Sequence, residues 1–178
     1  YRGRHFTVDS AKLYDLPDRP VPIGIAGYGP RAGRLAARQG DLFISDQPVR
    51  EVVERFREEG GEGKPVYGQI PVSFGTDYEE CKERAHRIWR FSAPGWKVMA
   101  ELPGPVNFEA VTRLVRPEDV AESVPCGDDV DDYIEAVRKF ADAGFTHLAL
   151  CQSGAENQKD FRTWAEADLL PALRERFG

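Results

Sequence analysis

Gly27-Tyr28-Gly29-Pro30 joins a short apolar run to the start of an alanine-rich stretch. A helix N-terminus leaves amide N–H groups unpaired and carries the positive end of the helix dipole, and glycine lets a ligand approach them closely. Gly27, Tyr28 and Gly29 therefore suit a phosphate. The same glycines also suit a tight βα turn that needs them only for positive φ. The motif is neither a Walker A loop nor a complete GxGxxG. Ser45, Asp46 and Gln47 follow a second apolar run, while Gln152 and Ser153 follow the last one. In a parallel barrel both groups reach the face where active sites lie and fit a substrate pocket. The plainer reading is that Ser45 or Asp46 simply caps the next helix.

The other reactive residue types are scattered. His5, His86 and His147 fall in the leading loop, on a charged helix and at a strand start, and none has an acid at metal-ligand or triad spacing. Asp128, Asp129, Asp131 and Asp132 lack the ligand regularity of an EF-hand loop and read as a solvated helix start, where the dipole favours acids. Cys81, Cys126 and Cys151 are widely spaced, with no CxxC, so neither a disulfide framework nor a metal site is expected. Trp89, Trp96 and Trp164 read as core or lid anchors rather than a cofactor cage.

The elements that position these residues alternate. Val21–Ala26 reads as a strand buried on both faces, followed by a helix with Pro30 at its first position and Gly40 just past its end. Asp41–Ser45 is a second strand, and Pro48–Glu59 a helix with Val49, Val52, Val53 and Phe56 on one face. Pro65–Phe74 is a third strand, interrupted by Pro71, and Thr76-x-x-Glu79 is a capping box opening the next helix. The pattern then breaks into a Pro/Gly loop with two short helices, one over about Asn107–Val115 and one after Pro117. It resumes with a helix from Asp128 closed by Gly144, a strand over Phe145–Cys151, and a terminal helix marked by Phe161, Trp164, Ala165 and Leu169. Residues 1–20 are thus a leading loop, 21–91 three βα units, 92–125 a helical insertion, and 126–178 a final helix-strand-helix.

Short apolar strands alternating with helices specify a parallel α/β sheet. Four strands are too few to close an eight-stranded barrel, and a doubly wound open sheet fits the same alternation. At 178 residues, 41% apolar and 30% charged, the chain suits a single domain. Its net charge of −6, with acids and bases interleaved, gives no basic stripe for nucleic acid. No stretch reaches the roughly 18 to 20 apolar residues needed to span a bilayer, so no membrane partner and a cytoplasmic location are expected. A first residue of Tyr rather than Met suggests a start inside a longer reading frame.

Several blocks taken in order resemble one family: Tyr1-Arg-Gly-Arg-His-Phe-Thr7, Leu13-Tyr-Asp-Leu-Pro17, Val21 to Pro30, Gly40-Asp-Leu-Phe-Ile44, Gly144-Phe-Thr-His-Leu148 and Asp168-Leu-Leu-Pro-Ala-Leu173. This order is similar to that of the luciferase-like flavin/deazaflavin oxidoreductases, in the branch of the F420-dependent glucose-6-phosphate dehydrogenases. The resemblance implies the C-terminal half of a (β/α)8 barrel and coenzyme F420 as cofactor, its phosphate held by Gly27, Tyr28 and Gly29. It implies hydride transfer with a small organic substrate. The residues around the deazaflavin ring, including an acid and a histidine, belong mainly to the other half, so no catalytic residue is named here. Where the glucose-6-phosphate enzymes carry a basic residue after the sixth strand, this chain has Ser45-Asp46-Gln47-Pro48, and a second family lysine falls near Glu122. The substrate is therefore expected to be other than glucose 6-phosphate, such as an alcohol, an enone or an aldehyde. An FMN-dependent monooxygenase of the same superfamily is the alternative enzyme, and an inactive half-barrel scaffold is the alternative without activity. Self-association or pairing with a missing N-terminal half is expected to cover the exposed sheet edges.

Overall fold

The computed structural model describes all 178 residues. After an extended lead, the chain forms β1 (Gly24–Ala26), α1 (Pro30–Gln39), β2 (Leu42–Ile44), α2 (Arg50–Phe56, running on through a π turn to Gly61) and β3 (Val66–Val72). There follow α3 (Tyr78–Trp89) and the short helices α4 (Trp96–Met99), α5 (Pro105–Val111) and α6 (Pro117–Ala121). Then come α7 (Val130–Asp142), β4 (His147–Gln152), α8 (Gln158–Trp164) and α9 (Leu170–Phe177), the last two joined by a π turn. All four strands are parallel, in the order β1-β2-β3-β4.

Burial alternates along β3: Val66, Gly68, Ile70 and Val72 are buried, while Tyr67 and Gln69 are exposed. The register carries this alternation across the sheet. Ile25, Phe43 and Val66 share one face, and Ala26, Ile44, Tyr67 and His147 the other. The helices cover the first face only. There Phe43 stacks on Phe56 with ring centroids 5.5 Å apart, and Val66, Ile70, Val72, Tyr133, Phe140 and Leu169 complete the core. The buried Tyr133 hydroxyl donates to the Gly127 carbonyl at 2.8 Å, so its burial leaves no polar group unpaired. On the second face Tyr67 and His147 stack on each other at 4.4 Å, with no layer above them.

A doubly wound sheet has helices on both faces and a reversal in strand order; this sheet has neither. Sequential parallel strands with one covered face are half of a (β/α)8 barrel, the bare face being its interior side.

Three expectations about the elements are corrected. The first strand is shorter than Val21–Ala26 and is not buried on both faces: Val21 and Ile23 precede it and are 67% and 59% exposed, and within this edge strand Gly24 and Ala26 lie exposed on the bare side. Pro71 does not interrupt β3. Pro65 and Tyr67 accept bonds from Phe43 and Ser45 of the β2 segment, so Pro71, in the same odd register, turns its missing donor toward a side where β2 has already ended. The helix after β3 is capped not by Thr76 but by Asp77, whose carboxylate accepts from the Glu80 amide at 3.1 Å. Gly144 does end α7 as expected, at φ +92°, a left-handed conformation that suits glycine.

The helix that covers the sheet ahead of β4 is α7. Helix α3 instead packs with α6 around a second, smaller core of Cys81, Ala85, Val120, Val124 and Cys126. Lys82 ties the two helices through Glu118 at 3.1 Å and pairs with Glu79 of its own helix at 2.8 Å. The buried Arg84 fixes α3 to the end of β3 by donating to the Phe74 carbonyl at 2.9 Å and the Ser73 hydroxyl at 3.3 Å. No helix is long and apolar enough to cross a membrane.

One-sided burial is tested by neighbouring residues. Phe43→Ala is expected to cost about 3–5 kcal/mol in urea unfolding. Ile44→Ser, on the bare face, should cost less than about 1 kcal/mol. The reverse ranking would put the core on the wrong side of the sheet.

Candidate functional site

The first βα turn uses its glycines in two different ways. Gly27 is part of the packing: its N–H donates to the Ile44 carbonyl at 3.0 Å, and a Cβ there would lie 2.2 Å from the Ala32 Cβ. Gly29 is different. It adopts φ −133° and ψ 168°, open to any residue, and an added Cβ would meet nothing within 4 Å. Neither glycine has positive φ, so the turn does not need them for that reason. Gly29 is the N-cap of α1 and supplies no side-chain cap, and Pro30 has no N–H. The Gly29 carbonyl accepts from Ala32 and Gly33, which leaves the amides of Tyr28, Gly29 and Arg31 without protein partners at the positive end of a ten-residue helix.

Arg31, in the first turn of α1, is exposed and forms no ion pair. The dipole disfavours a cation at that position, so its guanidinium adds uncompensated positive charge to that of the unpaired amides, a combination open to an anion and not singled out from the sequence. Tyr28 links the turn to its neighbours. Its hydroxyl donates to the Asp46 carboxylate at 3.4 Å, and its ring stacks on Trp96 at 6.0 Å and 10°. Burial, and then the Asp46 charge, raise the Tyr28 phenol above its ordinary range and keep it a donor.

At this end of the bare face lies a cleft of about 360 Å³ whose lining includes Gly27, Tyr28, Ser45, Asp46, Tyr67 and Gln69. The structure thus brings Gly27, Tyr28, Ser45 and Asp46 together. Ser45 is buried, and its hydroxyl closes its own loop by accepting from the Gln47 amide at 3.3 Å, while Asp46 is exposed. Neither caps α2, whose N-cap is Val49 without a side-chain bond. Gln47 lines an adjoining slot of about 290 Å³ rather than the cleft.

Gln152 is not brought to either cavity. Its carboxamide accepts from the Phe74 amide at 2.8 Å, which clasps the end of β3. The adjacent Ser153 is buried and accepts from the Trp89 indole at 2.8 Å. Tyr67 and Gln69 line the cleft but were not singled out from the sequence. The period-2 pattern after Pro65 places both on one face, and that the face is bare could not be seen in it.

The unpaired helix amides and a free guanidinium at the turn can hold the phosphate of an extended cofactor, and the cleft beside them offers flat apolar surface at Ala26, Ile44 and Tyr67 for a ring.

The chain is similar to known proteins along almost all of its length. It is 30% identical to the F420-dependent glucose-6-phosphate dehydrogenase of Rhodococcus erythropolis over 186 residues, covering 98% of this chain and 55% of that protein. The enzyme of the same name from Nakamurella multipartita is 29% identical over 191 residues, covering 100% of this chain and 56% of that protein. Among solved structures, an F420-dependent secondary alcohol dehydrogenase in complex with an F420-acetone adduct superposes with a TM-score of 0.77 at 25% identity, over 97% of this chain and 55% of that one. The coenzyme F420 dependent tetrahydromethanopterin reductase of Methanopyrus kandleri, at 15% identity and a TM-score of 0.59 over 85% of this chain and 51% of that one, shares the fold. The chain therefore spans about half the length of the relatives it matches. Residues 1–147 match the family described as luciferase-like monooxygenases, and with that match covering most of its length the chain belongs to this family.

Proposed function

We propose that this chain is the cofactor-phosphate half of a coenzyme F420-dependent oxidoreductase that transfers a hydride between the deazaflavin and a small organic substrate other than glucose 6-phosphate. The observation that carries the proposal is Gly29. Neither backbone conformation nor packing requires glycine there, yet it stands over an uncapped helix N-terminus with open space above it. A side chain would fill the space that a phosphate needs. The names of the similar proteins favour the deazaflavin over FMN.

The deazaflavin, when bound, supplies the redox chemistry. This chain contributes the amides of Tyr28 and Gly29, the charge of Arg31, and the wall formed by Ser45, Asp46, Tyr67 and Gln69. Asp46 and Glu122 line the adjoining slot against a single lysine, Lys139, and neither acid is ion-paired, so the lining is negative on balance. A sugar phosphate would place its two negative charges beside them, which argues for an uncharged substrate. The bare face and the two open edges, β1 and β4, are where a second half of the barrel fits, within one chain or from another. The helical segment 92–125 is read as an insertion that lies against the first βα turn through Trp96.

Titration of the chain with coenzyme F420 and with FMN, followed by ligand fluorescence, tests the cofactor. Saturable F420 binding is expected, weakened at least about tenfold by Gly29→Val, since each such factor is about 1.4 kcal/mol. Preference for FMN, or no binding of either, overturns the reading. The two glycines separate binding from folding. Gly27→Ala should lower stability by about 1–3 kcal/mol through the Ala32 clash. Gly29→Ala should leave the melting temperature unchanged. In sedimentation velocity the chain alone is expected to self-associate, and Tyr67→Lys on the bare face to reduce that association; a clean monomer would contradict it.

A further inference from the structure

The segment 92–125 carries a helix whose outward face is apolar. Helix α5 runs from Pro105 to Val111 and continues as a tighter turn to Leu114. Its inner side is held by Thr112, which is buried and donates its hydroxyl to the Phe108 carbonyl at 2.8 Å. Val106, Ala110 and Leu114 stand one turn apart on the opposite side. All three are exposed, Val106 by 78% and Leu114 by 87%, more than any other large apolar residue of the chain. A single exposed Leu or Val is ordinary on a protein surface. A row of them at helical spacing is the pattern by which a helix docks on a partner.

The charges beside this row are reciprocal. Glu109 and Arg113 flank it on the same side, four residues apart. Other charges nearby pair within the chain, Arg116 with Asp119 at 2.6 Å and Arg138 with Glu135 at 3.1 Å, but neither Glu109 nor Arg113 has an ion-pair partner. When the helix is laid antiparallel on a copy of itself, about a two-fold axis through Ala110, Val106 meets Leu114 of the partner subunit and Leu114 meets the partner's Val106. The same axis brings like flanks together, so Glu109 lies beside the partner's Arg113 and Arg113 beside the partner's Glu109. A parallel pair would instead set Glu109 on Glu109 and Arg113 on Arg113, like against like. Ala110 at the axis has only a methyl group, which lets the two backbones close to the roughly 8–10 Å of packed helices.

We propose that the outer face of α5 is a docking surface for a second copy of this chain, paired antiparallel across Ala110. A row of three residues gives a contact below the roughly 1,200 Å² of standard interfaces, so the association is weak and reversible. The surface is separate from the bare face of the sheet and needs neither the cofactor nor the open strand edges. The same segment stacks Trp96 on Tyr28 at 6.0 Å, so pairing through α5 joins two chains by the segments that border their glycine turns.

Sedimentation equilibrium of the Tyr67→Lys chain, in which contact through the bare face is weakened, tests α5. A monomer–dimer equilibrium is expected. Leu114→Glu should weaken it at least about tenfold and Glu109→Arg about threefold or more, both without a change in melting temperature. Adding Arg113→Glu to Glu109→Arg should restore it, because the exchanged charges are again reciprocal. Ala110→Cys should cross-link to a disulfide dimer in air under conditions where the parent chain, whose Cys81 and Cys126 are buried, does not. A strictly monomeric Tyr67→Lys chain overturns the proposal, as does association that Leu114→Glu leaves unchanged. A double variant no tighter than Glu109→Arg alone overturns the antiparallel pairing and with it the proposal.

Discussion

Alternate side chains on each strand meet a layer of helices on one side of the sheet, while their neighbours meet none on the other. Burying apolar surface is the main driving force for folding, and here that force acts through Phe43, Val66, Ile70 and Val72 on a single face. The register follows from this. Slipping β3 by one residue would exchange Val66 and Ile70 for Tyr67 and Gln69 and empty the core. The polar and aromatic residues of the bare face are thereby held in rows at fixed height, and the βα turns at the strand ends inherit that order. What a ligand would meet at the cleft is set by packing on the reverse side of the sheet.

The two glycines of the first turn differ in what surrounds them. Gly27 sits where the strand end and the first turn of α1 come together, with the Ala32 methyl in the place its side chain would take. Gly29, two positions on, faces open space. Through Tyr28 this turn touches both the second βα turn, at Asp46, and the distant segment carrying Trp96. Three parts of the chain therefore meet at a point where backbone donors are unpaired.

The repeating βα pattern was legible because strands and helices differ in period and because Pro30 and Gly144 mark helix ends plainly. The glycine turn, Ser45 and Asp46 were legible because residues that follow parallel strands gather at one end of the sheet. Three things were not. The cap at Asp77 lies one residue from a competing Thr76 signal, and geometry alone decides between them. The engagement of Gln152 with Phe74 depends on β3 and β4 pairing, a contact between residues 78 apart in sequence. Tyr67 and Gln69 have side chains that period-2 patterning places on one face, yet nothing local says that this face is left without a covering layer.

Pro71 has a consequence of a different kind. A ladder that ends only because a neighbouring strand is short can lengthen when thermal motion brings the backbones together. The ladder between β2 and β3 could in that way gain the Gln69 N–H but nothing at Pro71, where the missing hydrogen is a matter of covalent structure. Beside Pro71 the break between β2 and Pro125 therefore cannot be closed by pairing. At that position the sheet needs no strained loop to stay unzipped, since the sequence itself withholds the donor.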